Sequence, residues 1–327
     1  MSYIGADFVA DALASLGVEH VFAIVSIHNM PLLDAINRLG KTKIIDVRHE
    51  QAGTHAADGY ARATGKMGVM IASTGPGTSN TVTGLYESQF GSSRVLVITG
   101  QADTTFYGKG LSYVHEAEKQ IQMLSSVCRR VESPRHISQL ADSFQAVVSD
   151  MFTGRPQPGA IEIPIDLQYA NTKKVAIELP SDNIFEADPS VISRVADKIK
   201  EASKRIFVVG GGVISSEATQ ELCELAEQLD APVLTTVDGR GVLPEDHRLC
   251  MGNYYNSAGI YSAIQDADLT IAIGTKFAVG VDGQFHEQTP PGELIQIDID
   301  GNMIGRTHKA AIGVLSDAKS ALNQLKP

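Results

Sequence analysis

Short β-branched runs that each give way to a helical pattern are the feature that most narrows the folds open to this chain. Ile44, Ile45 and Val47 lead into the alanine-rich stretch from Gln51 to Thr64. Val69 to Ala72 leads through Ser73-Thr74-Gly75-Pro76-Gly77 into a helix that starts near Thr78. Val18 to Val25, Arg94 to Thr99, Ala160 to Ile165, Arg205 to Val209, Val233 to Thr236, Leu269 to Ile273 and Leu294 to Ile299 extend the series. Helical periods fall between them at 2–16, 31–39, 137–152, 190–203 and 216–229. Strands alternating with helices argue for parallel sheets covered on both faces. The expectation is therefore α/β, with two doubly wound parallel-sheet domains in tandem. The first spans residues 1–170 and the second 190–327, joined by a linker over 171–189 where periodicity is lost. At 327 residues, each half is long enough to bury its own core.

Formal charge is −11, and no block of lysine or arginine could track a phosphate backbone, which argues against a nucleic-acid partner. Cys128, Cys223 and Cys250 lie far apart in no metal-like spacing and read as reduced thiols, with no metal expected on this chain. No run approaches 18 apolar residues and no hydrophobic leader follows Met1, so the expectation is a soluble, cytoplasmic protein without a membrane partner.

Two strand-to-helix turns stand out as places for chemistry, because open α/β sheets collect ligands at the carboxyl ends of their strands. Arg48-His49-Glu50 puts a carboxylate at a helix N-terminus, where the helix dipole favours its charged form. It suits a cap, an ion-pair member, an anchor or a proton partner. Thr74-Gly75-Pro76-Gly77, with Asn80 following, reads as a tight turn, or as a corner where backbone passes close to a flat ring. Gly210-Gly211-Gly212 after a strand could let a pyrophosphate approach a helix, and Asp298 and Asp300 would suit ribose or adenine contacts. Small residues crowd the helix 51–64, fitting either tight packing on its own sheet or a clamp between two subunits.

Arg48-His49-Glu50-Gln51, Asp58-Gly59-Tyr60-Ala61-Arg62, Thr64-Gly65, Thr74-Gly75-Pro76-Gly77 with Asn80, Ile98-Thr99-Gly100-Gln101, Glu162-Ile163-Pro164-Ile165-Asp166 and Ile297-Asp298-Ile299-Asp300 occur in order. In this the chain resembles the acetolactate synthase-like family of thiamine diphosphate enzymes. The resemblance implies a pyrimidine-binding domain over 1–170 and a central Rossmann-like domain over 190–327. It implies that Glu50 is catalytic, hydrogen-bonding the cofactor's pyrimidine so that its imino tautomer can take the thiazolium C2 proton. Thr74, Gly75, Gly77 and Asn80 would join Glu50 in binding the cofactor. His115 stands where many relatives carry Phe-Gln-Glu, and Gln101 is a supporting candidate. A 2-keto acid such as pyruvate is the implied substrate, in carboligation or decarboxylation.

The sequence departs from the family in places. Ala23-Ile24-Val25-Ser26 replaces the usual Gly-x-Pro-Gly turn. Relatives hold FAD, ADP or nothing in the central domain, and Gly252-Asn253-Tyr254 and Lys276-Phe277-Ala278 differ from the FAD-binding pattern. FAD or ADP at Gly211 and Gly212 remains open on these residues alone. The family's diphosphate-binding domain, with its Gly-Asp-Gly motif for Mg2+, has only the fragments Asp282-Gly283 and Asp300-Gly301-Asn302 to match it. The expectation is half a site, completed by a separate diphosphate-binding subunit in a homo- or hetero-oligomer, a dimer of pyrimidine-binding domains or a tetramer. A truncated longer enzyme and a non-catalytic assembly homologue are the alternatives.

Overall fold

In a computed structural model the protein divides into two compact units, Met1–Ser181 and Asp182–Pro327. The structure describes residues 2–180, 185–253, 258–278 and 289–326. Asp282-Gly283 and Tyr254 lie outside the described residues.

The first unit is a six-stranded sheet, parallel throughout. Its strands are β1 (His20–Ala23), β2 (Lys43–Asp46), β3 (Gly68–Ala72), β4 (Val95–Gln101), β5 (Arg130–Glu132) and β6 (Gly159–Pro164), in the order β2-β1-β3-β4-β6-β5. Around it lie α1 (Gly5–Ser15), α2 (Met30–Leu39), α3 (Glu50–Thr64), α4 (Pro76–Gly91), α5 (Gln120–Ser125), α6 (Leu140–Phe152) and α7 (Ile165–Tyr169). Alternate strand residues feed two cores. Val69, Ile71, Leu96, Ile98, Ile161 and Ile163 join α1, α2 and α6 on one face. Met70, Ala72, Val95, Val97 and Ala160 meet α3 and α4 on the other. A parallel sheet needs both faces covered, which is why these strands are apolar at nearly every position.

The second unit repeats the plan with β7 (Arg205–Val209), β8 (Val233–Thr235), β9 (Cys250–Asn253), β10 (Leu269–Ile273), β11 (Glu293–Asp298) and β12 (Ile312–Leu315), in the order β12-β11-β10-β7-β8-β9. Its helices are α8 (Pro189–Glu201), α9 (Gly211–Ser215), α10 (Thr219–Leu229), α11 (Ala258–Ile264) and α12 (Ala318–Leu325). Phe207, Val209, Ile271 and Ile273 point into one core, and Ile206, Val208 and Ala272 into the other. Among the described residues no helix is long and apolar enough to cross a membrane.

The tandem α/β architecture is as expected, with local corrections. The edge strands β5, β9 and β12 carry too few consecutive apolar residues to stand out. His115 and Glu116 lie in the loop that precedes α5, which begins only at Gln120. The stretch 171–189 is held at both ends. Thr172 N donates to Tyr3 O and Glu178 N to Gln145 Oε1 in the first unit, while Ala187 N donates to Gln324 Oε1 in the second.

Candidate functional site

In the first sheet the chain runs from β1 outward to β2 and then returns to β3 on the far side of β1. Such a reversal opens a crevice at the carboxyl ends of β1 and β3, because their following loops diverge. The turns after β1, β2 and β3 gather there, and they carry His28, Glu50 and the Ser73–Gly77 corner.

Glu50 is the first residue of α3. His49 caps the helix, its Nδ1 accepting from Gln51 N at 3.2 Å. Glu50 is 9% exposed, and its Oε2 accepts from Asn80 Nδ2 at 3.0 Å. Among the described residues no cationic side chain pairs with it. The carboxylate lies directly under Gly77, where an added Cβ would stand 3.1 Å from Glu50 Oε1 and 2.9 Å from Ser73 Cβ. Gly75, at φ 59° and ψ −112°, adopts a backbone geometry closed to other residues, and an added Cβ would meet His115 O at 2.8 Å. The structure thus brings Glu50, Thr74, Gly75, Gly77, Asn80 and the His115 backbone together.

A buried polar network fixes the corner from behind. Gln120 Oε1 accepts from Gly75 N at 2.8 Å and lies 3.1 Å from Thr74 Oγ1. Gln120 Nε2 donates to Glu162 Oε2 at 2.7 Å, as does Gln101 Nε2 at 2.9 Å. Ser133 Oγ donates to Glu162 Oε1 at 2.8 Å, and the Arg135 guanidinium stands 3.7 Å away. Burial pushes the Glu162 carboxyl above the usual carboxylate range, against the pull of Ser133, Gln101, Gln120 and Arg135. In the sequence Glu162 stands out only as part of a motif, and Gln120 not at all. Neither position announces that it will meet Gly75.

Gly211 and Gly212 lie in the second unit, where the expected phosphate approach meets an obstacle. Both lie in the five-residue α9, and the N–H groups of Gly210 and Gly212 are spent on Ile273 O and Gly274 O at 2.9 and 3.1 Å. An added Cβ at Gly212 would meet Gly274 Cα at 2.6 Å, and one at Gly211 would meet Asp238 Cβ at 3.2 Å. These glycines let two stretches of backbone cross, which explains them without a nucleotide. Asp300 Oδ1 accepts from Asn302 N at 3.0 Å, closing its own turn.

Among the described residues one group has metal-like composition, Cys223, Glu227 and His247. His247 Nδ1 accepts from Leu249 N at 3.2 Å, which leaves the ring proton on Nε2, 3.2 Å from Glu227 Oε1. Ordinary hydrogen bonding accounts for the pairing of His247 with Glu227.

The site is thus a nearly buried carboxylate under a bare glycine corner at a sheet's switch point. Residues 4–125 match the family described as "Thiamine pyrophosphate enzyme, N-terminal TPP binding domain", and residues 192–325 match "Thiamine pyrophosphate enzyme, central domain". The chain belongs to the thiamine pyrophosphate (thiamine diphosphate) enzyme family. It is 33% identical to a probable acetolactate synthase large subunit of Methanocaldococcus jannaschii, over 98% of this chain and 55% of that protein. An acetolactate synthase of Mycobacterium avium is 35% identical, over 98% of this chain and 52% of its own length. An acetolactate synthase large subunit of Corynebacterium glutamicum is 33% identical, over 98% and 52%. The chain spans about half the length of the curated relatives it matches.

Proposed function

We propose that this chain holds the aminopyrimidine end of thiamine diphosphate in an acetolactate synthase-like carboligase or decarboxylase of a small 2-keto acid such as pyruvate, with Glu50 as its catalytic residue. The observation that carries the reading is the Glu50 carboxylate. It is nearly buried at a helix N-terminus, has an amide for its neighbour instead of a cation, and lies against the bare Cα of Gly77. A flat ring fits over such a corner, since any side chain at Gly77 would cover the acid.

Thiamine diphosphate, when bound, supplies the electron sink for breaking a bond beside the substrate's carbonyl. The chain's own part is positional and acid–base. Asn80 holds Oε2 and thereby aims Oε1, the oxygen that takes up and returns a proton. Gln120, anchored on Glu162, fixes Gly75 and Thr74 so that the corner keeps its shape. The diphosphate and its Mg2+ are assigned to residues beyond these 327, with a separate subunit in an oligomer as the first arrangement to test. No FAD or ADP is assigned to the second unit, because the Gly210 and Gly212 amides are already bonded to Ile273 O and Gly274 O.

The test mixes the chain with a polypeptide bearing a Gly-Asp-Gly diphosphate-binding domain, thiamine diphosphate, Mg2+ and pyruvate, and follows carbon dioxide release or acyl transfer. Glu50→Gln lowers turnover by about 10²- to 10⁴-fold, the range for a positioned acid–base group. Turnover unchanged by that substitution would sink the reading.

A further inference from the structure

On the other side of the corner from Glu50 sits a histidine that the function described so far does not use. The turn after β1 closes on itself, with Ser26 N donating to Asn29 Oδ1 at 2.8 Å and Asn29 Nδ2 donating to Ile24 O at 3.0 Å. His28 N donates to Ser26 Oγ at 3.1 Å, and Gln168 Nε2 reaches from α7 to His28 O at 2.7 Å. The backbone also lies tight over the end of β4, where an added Cβ at Gly100 would stand 2.3 Å from His28 O. Three elements thus hold His28 in one place.

Its side chain is 1% exposed and only half satisfied. Nδ1 stands 3.4 Å from Ser73 Oγ, across the crevice between the β1 and β3 turns. Nε2 has no hydrogen-bond partner of ordinary geometry, although the Val114 carbonyl lies close enough to the ring to draw on its proton. The rings of His115 and Tyr113 stand over it at 5.9 and 6.1 Å between centroids, carried by the loop that precedes α5. An orphaned buried polar atom costs free energy, so its persistence asks for a partner that arrives later. Burial and then the nearby His115 charge hold the His28 ring below the usual imidazole range, with the Val114 carbonyl opposing them weakly, so the ring is neutral at pH 7. Where the Ser73 hydroxyl donates to Nδ1, the neutral ring carries its one proton on Nε2. Ser73 is also the residue whose Cβ shares the space above Gly77 with Glu50 Oε1. The order across the crevice is therefore Glu50, Gly77, Ser73, His28, His115.

We propose that His28 is a substrate-binding residue that sets specificity at this site: its Nε2–H donates a hydrogen bond to an oxygen of the 2-keto acid, with Ser73 fixing the ring and His115 covering it. The inference rests on the thiamine diphosphate reading of Glu50 and extends it to the substrate. An anionic oxygen arriving at Nε2 favours the protonated ring, so His28 becomes easier to protonate when substrate binds. His115 and Tyr113 are the titratable groups stacked over it, and both are followed in the same experiment.

The experiment has two arms on the chain assembled with its diphosphate-binding partner, thiamine diphosphate and Mg2+. In the first, histidine ring carbon–proton spectra are recorded against pH with and without pyruvate, His28 being assigned through His28→Gln and His115 through His115→Gln. Pyruvate shifts the His28 resonances and raises the pH at which they titrate, and acetate at equal ionic strength does neither. In the second, His28→Ala raises KM for pyruvate by about tenfold, the worth of one hydrogen bond, while kcat and thiamine diphosphate affinity stay within about threefold. His28→Gln, which keeps an N–H donor, recovers part of the loss and guards against misfolding of the alanine variant. A His28 resonance indifferent to pyruvate, or an unchanged KM in His28→Ala, overturns the proposal. Loss of cofactor affinity in both His28 variants also overturns it, making the residue structural. Glu50→Gln separates the two readings. If it abolishes turnover while His28 is indifferent, only this inference falls, and if it has no effect the underlying reading falls.

Discussion

Replacing Gly77 with alanine places a single methyl group where the Glu50 reading is most sensitive. The new Cβ would lie 2.9 Å from Ser73 Cβ and 3.1 Å from Glu50 Oε1. Ser73 Cβ is tied to the backbone of the β3 turn and yields little. The Glu50 oxygen is the end of a flexible chain and yields first. Its retreat pulls on the 3.0 Å hydrogen bond from Asn80. Crowding a packed site costs about 1–3 kcal/mol, while alanine in place of glycine inside a helix returns about 1 kcal/mol. The net loss of stability is therefore about 0–2 kcal/mol, or at most several degrees in the melting temperature of a unit this size. The catalytic loss is larger, because a displacement near 1 Å at a reacting group costs about 100-fold. The assay pairs a calorimetric melting curve with carbon dioxide release from pyruvate by the assembled enzyme. The expected result is turnover down about 100-fold in a protein that melts within a few degrees of the parent. Turnover within threefold of the parent, or a loss that merely tracks the unfolded fraction, refutes the argument.

Two further outcomes test the supporting structure. Because burial raises the Glu162 carboxyl in the folded protein, the folded state binds its proton more tightly than the unfolded chain does. The stability this group contributes is full below the unfolded value near 4.3 and is lost as pH rises through the higher folded value, so unfolding free energy measured in urea falls over that window, and it falls less in Glu162→Gln. In the second unit, Gly212→Ala drives a Cβ to 2.6 Å from Gly274 Cα, with backbone on both sides, and costs about 1–3 kcal/mol on a melting curve. Turnover per folded molecule is unchanged by it, because neither glycine contributes to the corner under which Glu50 lies.

The parts of this protein that were legible in its sequence are those written in local patterns. A strand buried on both faces needs consecutive apolar residues, so Val69–Ala72 and Leu269–Ile273 declared themselves, and the alternation with helices gave the parallel sheets. Glu50, Gly75 and Gly77 stood out as candidates because a charge at a strand end and a glycine-proline-glycine corner are unusual within a few residues of sequence, and the fold places them side by side. Arg130–Glu132 was not, since an edge strand with one neighbour can be polar, and its two exposed or half-exposed ends hid it. Gly210–Gly212 is ambiguous in sequence for a related reason. Glycine lets a backbone approach something, and the letter is the same whether that is a phosphate or, as here, Gly274. The polar scaffold behind the corner joins positions far apart, with Gly75 meeting Gln120 and Gln101 meeting Glu162, and no local period can report such pairs. His28 shows the limit most clearly. In sequence the segment Ala23-Ile24-Val25-Ser26 registers as a lost turn motif, which draws the eye to the missing glycines. Only the packing shows that the same turn delivers a buried imidazole, one nitrogen without a partner of ordinary geometry, to the side of Ser73. A site of this kind is specified by what its walls leave unsatisfied, and that quantity exists only once the chain has folded.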